Sequence, residues 1–354
     1  MNETDSIVSV TPRTARKFIL EAIYAGLVPY VTASPGVGKS AICSSIAKEL
    51  NLKLIDHRLS SSIPEDMNGL AKFNDKGEAV FAPFTEIFPI EGMPLPLDEN
   101  GNEMNGWLLN LDELPSAEPD VLKAAYKLIL DRMVGQRKLH ERVAIVACGN
   151  LSTDRAMVNK IGTALQSRLV HIRMKSNTRE WIEDVAIPHG YDERIIGFLS
   201  AFPDKLNDFD PKHENQTFCC QRTWQFMDKL ISGESNDHIE EMALLYAGTI
   251  SNHVAIEFAQ FCQVYKQIPS ITTIVKDPAN QPVPRDTNIA WALITSMSSN
   301  ITDKNFEALA EYANRFDMTF RIIFWRIVMA RHTSLRHHPV FANAMTSLST
   351  DLHS

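Results

Sequence analysis

The segment "ASPGVGKS", Ala33 to Ser40, follows the apolar stretch "LVPYVT" and precedes "AICSSIAKEL", in which Ile42, Ile46 and Leu50 fall at helical spacing. Gly36, Gly38, Lys39 and Ser40 fit the end of the phosphate-loop pattern G-x-x-x-x-G-K-[ST], with Ala33 in place of its first glycine. A phosphate chain needs backbone N–H groups aimed inward. That in turn requires glycine where a side chain would block close approach or forbid the backbone angles. The following helix adds the positive end of its dipole. Pro35, Gly36, Val37, Gly38, Lys39, Ser40 and Ala41 are therefore the expected nucleotide-contacting set, with Lys39 as a point charge on the β- and γ-phosphates and the Ser40 hydroxyl as a magnesium ligand. Ala33 is the smallest replacement for glycine, so altered affinity is expected rather than loss of the site.

A second element is "WLLNLDEL", an apolar run that delivers Asp112 and Glu113 to the carboxyl end of a strand, where open α/β sheets bind ligands. Asp112 is the expected magnesium carboxylate, and Glu113 the group that orients and deprotonates an attacking water. "AIVACGN" ends another strand at Asn150, whose neutral amide could hold the same water. "ALQSRLVHI" places Arg168 at the end of a helix, where an arginine can face the γ-phosphate of a neighbouring subunit.

These groups need a scaffold that brings several strand ends together. The first half of the chain alternates strand-like runs ("VPYVTA", "LKLIDHRL", "GWLLNLDEL", "VAIVACGN", "LVHIRM") with helical patterns at 12–26, 40–50, 116–130 and 154–167. This alternation predicts an α/β fold with a parallel sheet and helices on both faces. "LAKFNDKGEAVFAP" reads as a hairpin turning at Asn74 to Gly77, and "PIEGMPLPLDENGNEMNG" as a Pro/Gly-rich loop. After Met174 strand signals stop. Asn177, with Glu180 three residues on, opens a helical region continuing through 191–202, 221–232, 238–248 and 252–266. "KDPANQPVPRD", with three prolines, reads as a linker before helical residues 287–349. The expected division is an α/β nucleotide-binding domain at 1–174, an all-α lid at 175–280 and a C-terminal helical extension at 281–354.

The chain has 354 residues, 44% of them hydrophobic and 22% charged, an ordinary balance for a soluble globular protein with a sizeable core. No apolar run reaches membrane-spanning length and the polar start "MNETDS" is no signal peptide, so a cytoplasmic protein is expected. Five cysteines without C-x-x-C spacing suggest reduced, buried thiols. Four of the five tryptophans, Trp181, Trp224, Trp291 and Trp325, fall in helical patterns as core residues. The net charge of −8 disfavours a general nucleic-acid binder. Most of the excess lies between Glu65 and Glu103, where nine acidic residues face two lysines. Asp131 to Arg142 is a small basic patch.

The order of these motifs resembles the AAA+ ATPases, with Walker A at 33–40, Walker B at 108–113, sensor 1 at Asn150 and an arginine finger at Arg168. The resemblance implies ATP and Mg2+ as cofactors, a helical lid contributing a sensor-2 arginine, here Arg222, and a homo-oligomeric ring, commonly a hexamer. Within AAA+, the inserted hairpin and the long connection before Asn150 resemble the MoxR-type clade. That likeness implies remodelling or activation of a protein partner, commonly a separate protein carrying a von Willebrand factor A domain. "GNLSTDRAMV" also resembles the M-N-x-x-D-R signature of McrB-like GTPases, with Gly149 where methionine is expected. This keeps GTP open, gives Arg155 a claim as a second trans-acting arginine, and offers a nucleic-acid-associated motor as the alternative. A nucleotide-gated assembly scaffold is a third reading, against which the intact Asp112–Glu113 pair stands.

Overall fold

The computed structural model describes residues 8–151, 154, 161–212 and 215–353. The helical pattern expected at 154–167 falls partly outside the described residues, as does Arg155. The described chain divides into two compact units, one running to Lys175 and including Asp210–Lys212, the other formed by the remainder from Ser176 onward.

The first unit is α/β. Its strands are β1 (Ser9–Val10), β2 (Val28–Thr32), β3 (Leu52–Arg58), β4 (Leu70–Phe73), β5 (Ala79–Ala82), β6 (Gly106–Asp112), β7 (Met133–Val134), β8 (Arg137–Lys138), β9 (Val143–Gly149) and β10 (Leu169–Met174). Six of them form one parallel sheet in the order β1-β10-β2-β9-β6-β3. The five long strands are those expected from the apolar runs. The two-residue edge strand β1 is an addition, too short to leave a periodic signal. The helices of this unit are α1 (Pro12–Tyr24), α2 (Lys39–Glu49), α3 (Pro64–Asn68), α4 (Pro119–Asp131) and α5 (Thr163–Gln166).

Alternation along β6 sorts the core into two layers. All seven residues of β6 are buried. Leu109 and Leu111 pack with Val121, Ala125 and Leu128 of α4, while Leu108 packs on the opposite face with Cys43, Ile46 and Ala47 of α2 and Ile19 of α1. Because side chains alternate, Asn110 and Asp112 share the α2 face with Leu108. The sheet therefore aims its acidic strand end toward the helix that follows the phosphate loop.

The hairpin β4–β5 turns at Asn74 to Gly77 as expected, with Asn74 accepting N–H bonds from Lys76 and Glu78 through its side chain. Register places Ala71, Phe73, Ala79 and Phe81 on one face of this ribbon, and Phe73 is 78% exposed.

The second unit is helical. Asn177 Oδ1 accepts from the Glu180 N–H at 3.0 Å, the expected cap. Trp181, Trp224 and Trp291 join one core of this unit, and Trp325 joins a second with Phe306, Phe324 and Phe341. Residues 276–286 are tied down: Tyr312 Oη donates to the Pro282 carbonyl and Arg315 to those of Pro278 and Gln281. All five cysteines are free and buried. Among the described residues, no helix is long and apolar enough to cross a membrane.

Candidate functional site at the carboxyl edge of the sheet

Strand register gathers the candidate residues at one edge. Thr32 lies opposite Gly149, and Arg58 opposite Asp112. The next residues along β2, β9 and β6 are thus Ala33, Asn150 and Glu113, at neighbouring strand ends. The crevice outside the carboxyl ends of such strands is where α/β sheets bind ligands.

The loop from β2 to α2 bends through two left-handed glycines, Gly36 at φ 73° and Gly38 at φ 94°. An L side chain is disfavoured at both angles. Val37 between them is buried and anchors the loop in the α1–α2 core. Gly38 caps α2 without any side-chain bond, and the first turn, Lys39 to Ile42, holds no acidic residue. The first N–H groups of the eleven-residue helix α2 therefore have no side-chain cap, the arrangement that receives an anion. Ser40 and Ala41 lie in this first turn. Lys39 Nζ donates to the carbonyl oxygens of Ala33 at 2.8 Å and Ser34 at 3.2 Å, and to Asn150 Oδ1 at 2.9 Å. Lysine and amide, 111 residues apart in sequence, are thereby brought into direct contact.

Asp112 is 7% exposed, and its Oδ1 accepts the Glu113 N–H at 3.0 Å. Burial is the largest influence on its carboxyl group and pushes its pKa up, with Asp56 and Glu113 adding to the rise while the Glu113 N–H and Lys39 oppose it. Its charge compensation is slight: Arg58 Nη2 stands 3.9 Å from Oδ2, and the arginine is itself 58% exposed. A buried carboxylate with so little neutralisation gains from a divalent cation, and Ser40 and Asp112 offer the hard oxygen donors that magnesium prefers. The residues fit that ion.

Glu113 occupies the left-handed region at φ 57°, ψ 34°, rare for a side-chain-bearing residue. Ser60 Oγ donates to its Oε2, and Arg58 Nε lies 3.8 Å from its Oε1. Gly149 explains the departure from the M-N-x-x-D-R signature: a Cβ there would stand 2.6 Å from Pro115 Cδ and 2.8 Å from the Tyr30 hydroxyl. A methionine has no room beside Asn150.

Arg168 lies just beyond α5, exposed, with Nη1 donating to the Ala164 carbonyl at 3.0 Å. Arg222 belongs to the second unit, as the second residue of the helix Gln221–Ile231, and is exposed. Four neighbours of the acid pair escaped the sequence reading: Asp56, Arg58, Ser60 and Asn110. The first two sit near the end of an expected strand, so the carboxyl-edge rule could have flagged them. Asn110 could have been noticed as the one polar residue within "WLLNL".

Fold and site together define an α/β domain with a glycine-bearing loop, an acid pair and a side-chain amide at neighbouring strand ends. No protein-family profile matches the chain, and no curated protein matches its sequence. Among solved structures, a presumed ATPase from Cytophaga hutchinsonii is similar over 90% of this chain and 82% of its own, with a TM-score of 0.37 and 13% identity. The Holliday junction branch migration motor RuvB of Thermotoga maritima is similar over 83% of this chain and 70% of its own, with a TM-score of 0.33 and 15% identity.

Proposed function

We propose that the chain is an AAA+ ATPase of the MoxR type, which couples Mg2+-dependent ATP hydrolysis to remodelling or activation of a protein partner and works as a homo-oligomeric, hexameric ring. The observation that carries the reading is the convergence of Lys39, Asn150, Asp112 and Glu113 at adjacent strand ends, with Lys39 bonded to Asn150.

In this reading Lys39 exchanges its bonds to Ala33, Ser34 and Asn150 for the β- and γ-phosphates of ATP. Ser40 and Asp112 would hold Mg2+, which neutralises phosphate charge. The Asn150 amide, released from Lys39, orients the attacking water, and Glu113 accepts its proton. Arg168 from a neighbouring copy stabilises the charge of the transition state.

Two surface features support a protein partner. The β4–β5 ribbon exposes Phe73 and Phe81 on one apolar face, and the surrounding segment is acidic, a combination suited to a protein surface and repulsive to phosphate backbones. The basic patch that would favour a nucleic-acid motor is weaker than its sequence suggests: Arg132 turns inward, its Nη2 donating to the His140 and Val143 carbonyls. The partner proposed is a separate protein with a von Willebrand factor A domain.

Deleting Lys72 to Val80 tests this part of the reading. Basal hydrolysis should persist while a co-purifying protein partner and its stimulation of turnover are lost. Stimulation of turnover by DNA or RNA, with no protein recovered, would move the assignment to a McrB-like motor.

A further inference from the structure

Strand β6 contains one residue that its burial does not explain. It is covered on both faces, and such strands are apolar throughout, yet Asn110 lies at its middle with 0% exposure. A buried amide is costly unless both ends are bonded. Chemistry fixes its orientation: the carboxylate of Asp56 only accepts, so the amide NH2 faces it and the amide oxygen faces the thiol. Nδ2 donates to Asp56 Oδ1 at 2.7 Å, directly across the β3–β6 register. Cys43 Sγ donates to Asn110 Oδ1 at 3.6 Å, and Cys43 in turn lies 4.0 Å from Cys148 Sγ. With Cys148 donating, the bonds run in one direction, from β9 through α2 and β6 to a carboxylate on β3.

Each member of this chain sits one repeat behind a residue of the candidate site. Asp56 is two residues before Arg58, Asn110 two before Asp112, Cys148 two before Asn150, and Cys43 about one helical turn after Lys39 and Ser40. We infer that Asn110 is a positioning residue: by bonding Asp56 and Cys43 it sets β3, β6 and α2 at fixed heights relative to one another, and so sets Asp112 relative to the Ser40 end of α2. The inference rests on the reading that Ser40 and Asp112 hold magnesium.

Its test is the magnesium dependence of binding of a fluorescent ATP analogue, read beside kcat. Asn110→Leu keeps side-chain size and suits a buried apolar strand. The Asp56 carboxylate it abandons is exposed and can be rehydrated, so the variant should fold with a melting temperature near that of the wild type. The magnesium concentration for half-maximal binding should rise, and kcat should fall, each by about tenfold or more, the usual effect of removing support behind metal ligands. Asp56→Ala, an exposed substitution safe for folding, should shift both in the same direction, and Asp56→Asn, which keeps an acceptor, should recover most of the loss. Asn110→Leu together with Asp56→Ala should be no worse than Asn110→Leu alone, as expected of groups acting through one bond.

A normal magnesium response in the wild type with Asp56→Ala and a folded Asn110→Leu both within about twofold of it, or an Asp56→Asn variant as impaired as Asp56→Ala, overturns the inference alone. Absence of any magnesium-dependent component in wild-type binding removes the underlying reading, and both fall together.

Discussion

Glu113, the proposed water-activating residue, carries a conformational cost. Its left-handed backbone is unfavourable for any residue with a Cβ, by roughly 1–2 kcal/mol. The neighbouring Ser60 holds its carboxylate at the strand end. The strain is understandable if the carboxylate must leave the line of β6 to reach a water. Glu113→Gly should therefore raise the free energy of unfolding by about 1 kcal/mol while abolishing turnover. A urea titration showing lower stability would mean that the Ser60 contact outweighs the backbone term.

Arg58 contributes less than its position suggests. Its guanidinium nitrogens stand 3.8 and 3.9 Å from the two carboxylates and the side chain is 58% exposed, so solvent screens both pairs.

At the scale of elements, the sheet was largely legible because the long strands β2, β6 and β9 are short, largely apolar runs, and because glycines mark the loop before α2. The hairpin was legible from Asn74 and Gly77. What escaped were relations across strands. Nothing in the local sequence of "LKLIDHRL" tells that Asp56 lies opposite Asn110 or Arg58 opposite Asp112, since register depends on the whole parallel sheet. The bond between Lys39 and Asn150 is likewise a product of β2 pairing with β9. Gly149 read as a deviation from a motif, and only the approach of Pro115 and Tyr30 shows why a larger residue is excluded.

The second unit offers a prediction from burial. Glu193, at the start of the helix Glu193–Ala201, has its pKa pushed up, first by burial and then by Asp192, with Arg194, a Ser296 bond and Arg331 opposing. Its folded-state pKa exceeds the unfolded one, so the native state holds the proton more tightly. Stability then falls as pH rises from the unfolded value through the raised one, and a constant penalty remains above that window. Glu193→Gln removes the penalty. The variant should be more stable than the wild type at neutral pH, and its advantage should vanish as the pH falls below the ordinary glutamate pKa of about 4.3. Chemical denaturation at several pH values checks the sign, and a variant less stable at neutral pH would show that the carboxylate's contacts outweigh its desolvation.

For the whole molecule, the proposal is a site completed between copies. Arg168 is exposed and donates within its own chain only to the Ala164 carbonyl among its described bonds, a contact it could exchange for a phosphate. An arginine supplied in trans can contribute on the order of 10³-fold to turnover. Arg168→Ala should therefore bind ATP and hydrolyse it poorly. Mixing it with Lys39→Ala should restore part of the activity, because a copy with an intact phosphate loop can then receive the neighbour's arginine. No recovery on mixing, from a protein fully active as a monomer, would confine the site to one chain.

In the proposed Mg2+-dependent site, phosphate binding and water activation reside on different strand ends. This separation is tested most directly by measuring ATP binding and phosphate release side by side for the wild type, Lys39→Ala and Glu113→Gln. Lys39→Ala should lose binding, whereas Glu113→Gln should keep binding near the wild-type level and lose turnover. Hydrolysis by Glu113→Gln at the wild-type rate would contradict it.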